Sequence, residues 1–381
     1  MWDWTSVIIY IGFAVIGGFL LKQSIMSNTR DNTITYGGAF ILIWTFMAVF
    51  RYVSEYNGFI TGGSDAPTYI SYFKICNVPN NHLYEAHTEF LFKLLTKFIR
   101  KFTDNYRLYF LIIYSFITYA YFKFLKNINF TKISYAPLFM IMIVYAKAFS
   151  SIRTGIAIAC ILLGVIKYDK KKYVSCVLLM TSSVLFQRSS IIYAVYPLFA
   201  YIHKNGLLKR KKAVIYTLLG FMFGIIAQRV LMSSPVPFFK GGAYAKYILR
   251  SLEDGYFTDY MKIIADQVIV LVLYYLYLRK SSIYNRRATD WIHRTLDSMW
   301  CFDCLMTPIC YVLNIWRASE YFFVPRLLML GIFIYDFRKK ITDDSKTLYD
   351  CGTILILILW FIIRLSTIYD VTDLMPLRFH L

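Results

Sequence analysis

Ser150-Ser151-Ile152-Arg153-Thr154 opens the apolar run Gly155-Ile156-Ala157-Ile158-Ala159-Cys160-Ile161-Leu162-Leu163-Gly164-Val165-Ile166, and the reading of this stretch decides the fold. The run is of the kind that crosses a bilayer, yet it carries an arginine at its head. Beyond it, the basic hairpin Lys170-Lys171-Lys172 turns the chain into a second apolar run ending at Phe186-Gln187-Arg188-Ser189-Ser190, so two arginines meet at one membrane face. An ionisable residue at membrane depth costs about 2.5 to 3.5 kcal/mol on insertion scales, and its retention marks a ligand or substrate path.

Similar windows recur along the chain, which is 58% hydrophobic and 19% aromatic. They approach the ~20 residues that cross a bilayer and predict an all-α, polytopic integral membrane bundle of about twelve transmembrane helices. The expected spans are 6–21, 38–53, 106–122, 133–149, 152–167, 173–186, 189–202, 213–232, 262–278, 296–316, 320–335 and 350–367. Several are short, 173–186 above all, which leaves tilting or re-entry open. No soluble domain fits between the spans, so residues 1–381 read as one integral domain with outer loops at about 54–105 and 233–261. Met1-Trp2-Asp3-Trp4 lacks a cationic leader, so the first span reads as a membrane helix and not as a cleaved signal peptide.

The short loops containing Lys123 to Lys132, Lys167 to Lys172, Lys204 to Lys212, Arg279 to Arg294 and Arg338 to Lys346 fall on one side, which is cytoplasmic by the excess of Lys and Arg. These hairpins carry much of the net charge of +20, so the basic balance reflects topology and anionic lipid and does not call for a nucleic-acid partner. The seven cysteines are scattered, mostly within apolar spans, and imply no disulfide framework. Cys301-Phe302-Asp303-Cys304 has metal-like spacing but no second pair and lies among membrane-type neighbours, so no metal site is read there. No phosphate-cradling glycine loop or cofactor motif occurs, and no cofactor is expected.

The opposite, outer side collects the unusual residues. Thr61-Gly62-Gly63-Ser64-Asp65-Ala66-Pro67-Thr68-Tyr69 can turn tightly and set Asp65 near the mouth of the bundle. A carboxylate there suits a general base toward a hydroxyl; equally, Asp65 followed by Pro67 suits a helix cap. The segment from Glu89 to Ile99 mixes cations with apolar residues at helical spacing and reads as an interface helix with Lys93, Lys97, Arg100 and Lys101 turned to water or lipid phosphate. In the second loop, Lys246, Arg250, Glu253, Asp254 and Asp259 accompany Tyr244, Tyr247, Tyr256 and Tyr260, whose rings suit headgroup anchoring or sugar stacking. Arg326 and Arg364 fall within later spans, where pairing with Asp303 or Asp336, or snorkelling, accounts for them. Arg51, Arg153, Arg188 and Arg317 at one outer level oppose the topological charge rule. A polyanion held there explains them, and guanidinium forks suit the phosphate oxygens of a lipid pyrophosphate.

At these residues the chain resembles the EpsG-like, Wzy-type polymerases of bacterial capsular, exopolysaccharide or O-antigen repeat units. The resemblance runs from about Arg51 to Tyr201, with a weaker echo near Arg317 to Tyr321 and at Met375-Pro376-Leu377. Arg51, Gly63, Asp65 and Tyr69 match the family's first pattern with a stretched arginine-to-glycine spacing, and Glu89, Phe92 and Leu95 match its second, in which Phe90 and Leu91 replace turn residues. Phe149-Ser150-Ser151-Ile152-Arg153 matches a third, with Thr154 in place of glutamine. Phe186-Gln187-Arg188-Ser189 matches a fourth, with Gln187 in place of histidine, so a proton-carrying role does not transfer there whereas hydrogen bonding does.

The resemblance implies a metal-independent glycosyltransferase of broadly GT-C-like helical architecture in the bacterial cytoplasmic membrane. It would transfer a growing glycan from its polyprenyl pyrophosphate to a hydroxyl of the next lipid-linked repeat unit at the outer face. Asp65 is then the base with Glu89 in reserve; Arg153, Arg188, Arg51 and Arg317 take the pyrophosphate; Tyr69 and Gln187 contact substrate. Partners implied are the polyprenyl-pyrophosphate-linked oligosaccharide, membrane lipid, and flippase and chain-length-regulator proteins. Two rivals share parts of this pattern. A flippase of lipid-linked oligosaccharide shares span number and lipid partner but calls for an internal repeat, which is not seen. A membrane-bound acyltransferase of envelope glycans calls for a histidine at a membrane face, whereas His203 and His293 fall in cytoplasmic hairpins and His82 and His87 in a loop.

Overall fold

The computed structural model describes residues 4–27, 29–51, 53–56, 59–61, 63, 65–78, 88–128, 145, 148–204, 213–233, 268–269, 271–272, 291–313, 316–339 and 341–368. The expected spans 133–149 and 262–278 fall largely outside them, as does almost all of the loop 233–261. The described chain is helical apart from one hairpin, in which β1 (Ser54–Tyr56) pairs antiparallel with β2 (Phe59–Thr61). It divides into two compact units, Met1–Ile191 with Ile334–Leu381, and Ile192–Phe333.

In the first unit, α1 (Trp4–Met26) and α2 (Arg30–Phe50) fold back on one another. Thr29 caps α2, its side chain accepting from the Asn32 amide at 3.3 Å, so this helix begins well before the expected 38. Trp44 wedges against Gly17, where an added Cβ would lie 2.3 Å from the indole nitrogen, and donates to the Phe13 carbonyl at 3.3 Å. α2 packs on α5 (Tyr106–Asn127), and Tyr145 ties the two together: its hydroxyl bonds Thr118 at 2.7 Å and donates to the Trp44 carbonyl at 3.1 Å. Such bonds satisfy polar groups where neither water nor lipid will.

α6 (Ile152–Asp169) packs on α5 through Gly155, whose small size admits Ala148 and Ile117. It then doubles back into α7 (Tyr173–Phe186) through the basic hairpin, where Lys171 takes a left-handed φ of 57° and the Lys172 amide donates to the Lys167 carbonyl at 2.9 Å. α7 has 14 residues and spans about 21 Å, short of the ~30 Å hydrocarbon core. The short helices α3 (Ala66–Ile75) and α4 (Phe90–Arg100) pack on each other and on α5, and α4 also meets α7. α4 turns Phe92, Thr96 and Ile99 inward and leaves Phe90, Leu94 and Phe98 exposed; Lys101 is exposed as expected, whereas Lys93, Lys97 and Arg100 are half-buried.

The expected span 189–202 is not one helix. A 3-10 turn at Arg188–Ser190 leads into α8 (Ile191–Ala194), and α9 (Tyr196–Lys204) starts afresh after Val195. Pro197 at the second residue of α9 explains the break, since proline is tolerated only in a first helical turn.

In the second unit, α10 (Ala213–Ser233) lies along α11 (Trp291–Val312). Gly220 and Gly224 permit it: a Cβ at 220 would stand 2.2 Å from the Leu305 carbonyl oxygen, and one at 224 would stand 2.9 Å from Val312. Small residues four apart are a common device for close approach of membrane helices. α12 (Trp316–Ser319) and a 3-10 turn precede α13 (Phe323–Arg338), whose residues from Ile334 onward count with the first unit, as does α14 (Asp343–Ile368). Fully buried Arg326 grips fully buried Asp303 with two bonds of 2.9 and 2.6 Å, and Thr307 completes the cluster by bonding both. Of the partners expected for Arg326, Asp303 is found in place, and the side chain of Asp336 lies outside the described residues. Arg338 makes a similar fork with Asp350 at 2.7 to 3.0 Å.

Trp4–Met26, Arg30–Phe50, Tyr106–Asn127 and Ala213–Val230 are each long and apolar enough to cross a membrane. Breaking the Asp303–Arg326 pair with Asp303→Asn or Arg326→Leu strands a buried charge and costs on the order of 3–5 kcal/mol. The double variant Asp303→Leu/Arg326→Met should melt far closer to wild type than either single variant, as measured by thermal unfolding of the detergent-solubilised protein.

Candidate functional site

The site is built where α6 begins. Phe149 and Ser150 precede the helix, Ser151 holds its N-cap position, and Arg153 lies in its first turn. Ser151 does not cap the helix with its side chain; its hydroxyl instead meets that of Thr154 at 2.8 Å. Thr154, the departure from the family's glutamine, is thereby fixed to the helix head.

Gly63 brings the Asp65 loop onto this point. Its φ of +111° suits glycine alone, and a Cβ there would lie 2.6 Å from the Phe149 carbonyl oxygen and 2.9 Å from the Ser150 nitrogen. The Gly63 carbonyl accepts from the Ala66 amide at 3.0 Å, closing a turn that delivers Asp65 to the head of α3. Asp65 occupies the N-cap position with Pro67 in the first turn, but its side chain makes no capping bond. Among the described residues its half-buried carboxylate has no hydrogen-bond or ion-pair partner.

Tyr69, one turn on, is buried beneath Phe92 and reaches α6, where its hydroxyl accepts from Arg153 Nε at 3.4 Å. Burial raises its phenol above the usual range, while the Arg153 guanidinium pulls it back. Glu89, at the head of α4, also leaves its own helix uncapped and spends Oε2 on Arg153 Nη1 at 2.5 Å. The guanidinium is thus aimed by a carboxylate and a phenol contributed by two different helices, with side chains only 19% and 11% exposed for Arg153 and Glu89. A partly desolvated fork held in this way is preorganised for oxyanions.

Arg51, at the end of α2, belongs to the same neighbourhood but is only 4% exposed. It donates to the Ala48 carbonyl, to the Tyr114 hydroxyl at 2.9 Å and to the Phe149 carbonyl at 3.2 Å. Tyr114 is a member of this cluster that the sequence did not single out: it is one tyrosine among many in a Tyr- and Phe-rich span.

Gln187 and Arg188 end α7 and begin the 3-10 turn, which packs on α6. Gln187 is buried; its Nε2 lies 3.4 Å from Ser189 Oγ, and among the described residues its Oε1 has no partner. Arg188 is exposed, and among the described residues its side chain makes no hydrogen bond or ion pair. Arg317 lies on α12, and its side chain is outside the described residues, as is that of Arg364; His82 and His87 and the tyrosines of the second loop are outside them altogether.

Apolar helices of membrane length define a multi-pass helical membrane protein, and in its first unit guanidinium and carboxylate groups gather at the ends of the helices. The chain belongs to the EpsG family, whose model matches residues 34–379 and so includes every residue of this cluster. That is a family of membrane proteins of polysaccharide biosynthesis. Comparison with curated proteins and with solved structures finds no match.

Gly63→Ala should therefore be far more damaging than Gly→Ala at an open helical position such as Gly38. It combines a positive φ with a backbone clash, for about 1–3 kcal/mol. Gly38→Ala, where a Cβ meets nothing within 4 Å, should leave the melting temperature unchanged or slightly higher in the same unfolding measurement.

Proposed function

We propose that the protein is a polymerase that joins polyprenyl-pyrophosphate-linked oligosaccharide repeat units by glycosyl transfer at the outer face of the bacterial cytoplasmic membrane, in a broadly GT-C-like helical bundle. The observation that carries this reading is Arg153: a guanidinium at the head of an apolar helix, aimed by Glu89 and Tyr69, with the Asp65 carboxylate one turn before Tyr69 at the head of α3. The family's role in polysaccharide biosynthesis supports the substrate class.

The acceptor sugar hydroxyl gives its proton to Asp65 as its oxygen bonds to the anomeric carbon of the donor glycan. The bond from that carbon to the pyrophosphate oxygen breaks, and the pyrophosphate leaves with the electron pair on its polyprenyl carrier. Arg153 and Arg188 neutralise the charge that develops there, a stabilisation that grows from ground state to transition state. Glu89 makes a poor base because its carboxylate is committed to Arg153, whereas Asp65 is uncommitted among the described residues. Gln187, with a buried amide oxygen lacking a partner among the described residues, suits a sugar hydroxyl or amide N–H. Arg317 stays in the pyrophosphate set on the family resemblance. Membrane lipid surrounds the reaction, and in the cell flippase and chain-length-regulator proteins are the partners that would deliver the units and set product length.

Arg153→Ala in the parent cell should halt chain growth, with single lipid-linked repeat units accumulating at the outer face. Accumulation at the inner face would instead indicate a flippase, and unchanged chain length would sink the assignment of the site. Asp65→Asn should slow polymerisation by about 10²- to 10⁴-fold with protein level intact, as a lost general base does. Glu89→Gln should retain more activity than Asp65→Asn when glycan length is read on gels.

A further inference from the structure

We infer that Arg51 is a positioning residue that fixes the head of the Arg153 helix and does not itself touch the pyrophosphate; the consequence for turnover rests on the polymerase reading. Its guanidinium carbon lies 4.5 Å from the ring centre of Phe149, 5.0 Å from that of Tyr114 and 5.2 Å from that of Phe110. Within this aromatic surround its N–H groups go to the Ala48 carbonyl, the Tyr114 hydroxyl and the Phe149 carbonyl. Tyr114 passes the interaction on, donating to the Ala148 carbonyl at 3.2 Å. One guanidinium and one phenol therefore hold two successive carbonyls, those of Ala148 and Phe149, just before α6 begins.

Gly63 closes the other half of the clamp. It packs against the carbonyl of Phe149 and the amide of Ser150, so the peptide between those residues is held by Arg51 and by the Asp65 loop together. Ser151 and Arg153 follow within one turn. The direction of the Arg153 guanidinium is thus set at its tip by Glu89 and Tyr69 and at its backbone by Arg51. Lysine cannot replace this arrangement, because three acceptors in different directions need a planar fork and not a single ammonium.

The test uses the full-length protein in nanodiscs, with Arg51→Lys, Tyr114→Phe and the double variant. Hydrogen exchange should rise about tenfold across residues 148–156 in both single variants, with α1 and α10 unchanged. Turnover on lipid-linked repeat units should fall about tenfold to a hundredfold, as small misplacements of a catalytic group do. Affinity for a sugar-free polyprenyl pyrophosphate should stay within about threefold, because Glu89 and Tyr69 still hold Arg153. The double variant should exceed Arg51→Lys by less than the effect of Tyr114→Phe alone, since the two side chains bond each other and hold successive carbonyls of one segment. Unchanged exchange at 148–156 overturns the inference, and so does a large loss of probe affinity in Arg51→Lys with Tyr114→Phe silent. If the wild type does not polymerise while the exchange pattern appears as expected, the polymerase reading fails and the positioning role stands.

Discussion

A guanidinium removed from water must find its partners in the protein, and that constraint organises both units of this chain. Effective penalties of several kcal/mol per buried ion mean that none of Arg51, Arg153 and Arg326 persists without dedicated acceptors. Each has been given a different set. Arg326 is neutralised by Asp303 inside the second unit, with Thr307 filling the remaining bond, and so acts as an internal brace. Arg51 is held by backbone carbonyls, a phenol and aromatic faces. Arg153 has one carboxylate and one phenol and lies where the apolar part of its helix begins. Only the last arrangement combines partial exposure with a fork already aimed, which suits an anionic ligand better than either brace.

The uneven treatment of the carboxylates matters as much. Glu89 and Asp65 both stand at helix N-termini, where either could have capped its own helix, and neither side chain does so. Capping is worth about 1 kcal/mol, which both positions forgo. Glu89 turns to Arg153, while Asp65 stays on a loop whose approach depends on the missing side chain of Gly63. Residues spaced far apart in sequence thereby reach one small region: the loop, α3, α4 and α5 all converge on the first turn of α6.

Much of the helical scaffold was legible in advance because apolar runs near bilayer length leave little choice of structure. The helices at Trp4–Met26, Tyr106–Asn127 and Ala213–Ser233 answer to such runs directly. α2 began earlier than expected because Thr29 caps it by accepting from the Asn32 amide, a local signal outside the apolar window. The break before α9 was written in Pro197, but an otherwise continuous apolar run concealed it. Arg51 and Arg153 also stood out in the sequence, as arginines set against the expected charge rule. Their division of labour did not, because sequence spacing gives no information on whether Arg51 faces a ligand or the Phe149 carbonyl. Tyr114 and the hairpin at Ser54–Thr61 were invisible for a related reason: their roles come from tertiary contacts and from pairing, with no periodicity to announce them.

The central claim is that the arginine and carboxylate cluster at the head of α6 carries out glycosyl transfer between lipid-linked units. The most direct measurement is reconstitution of the purified protein in liposomes with a polyprenyl-pyrophosphate-linked repeat unit as the sole substrate, followed by mass spectrometry of the lipid-linked products. The account predicts a ladder of products separated by one repeat-unit mass, with one free polyprenyl pyrophosphate released for each bond made. Movement of intact single units across the bilayer, with no ladder and no released carrier, would contradict it.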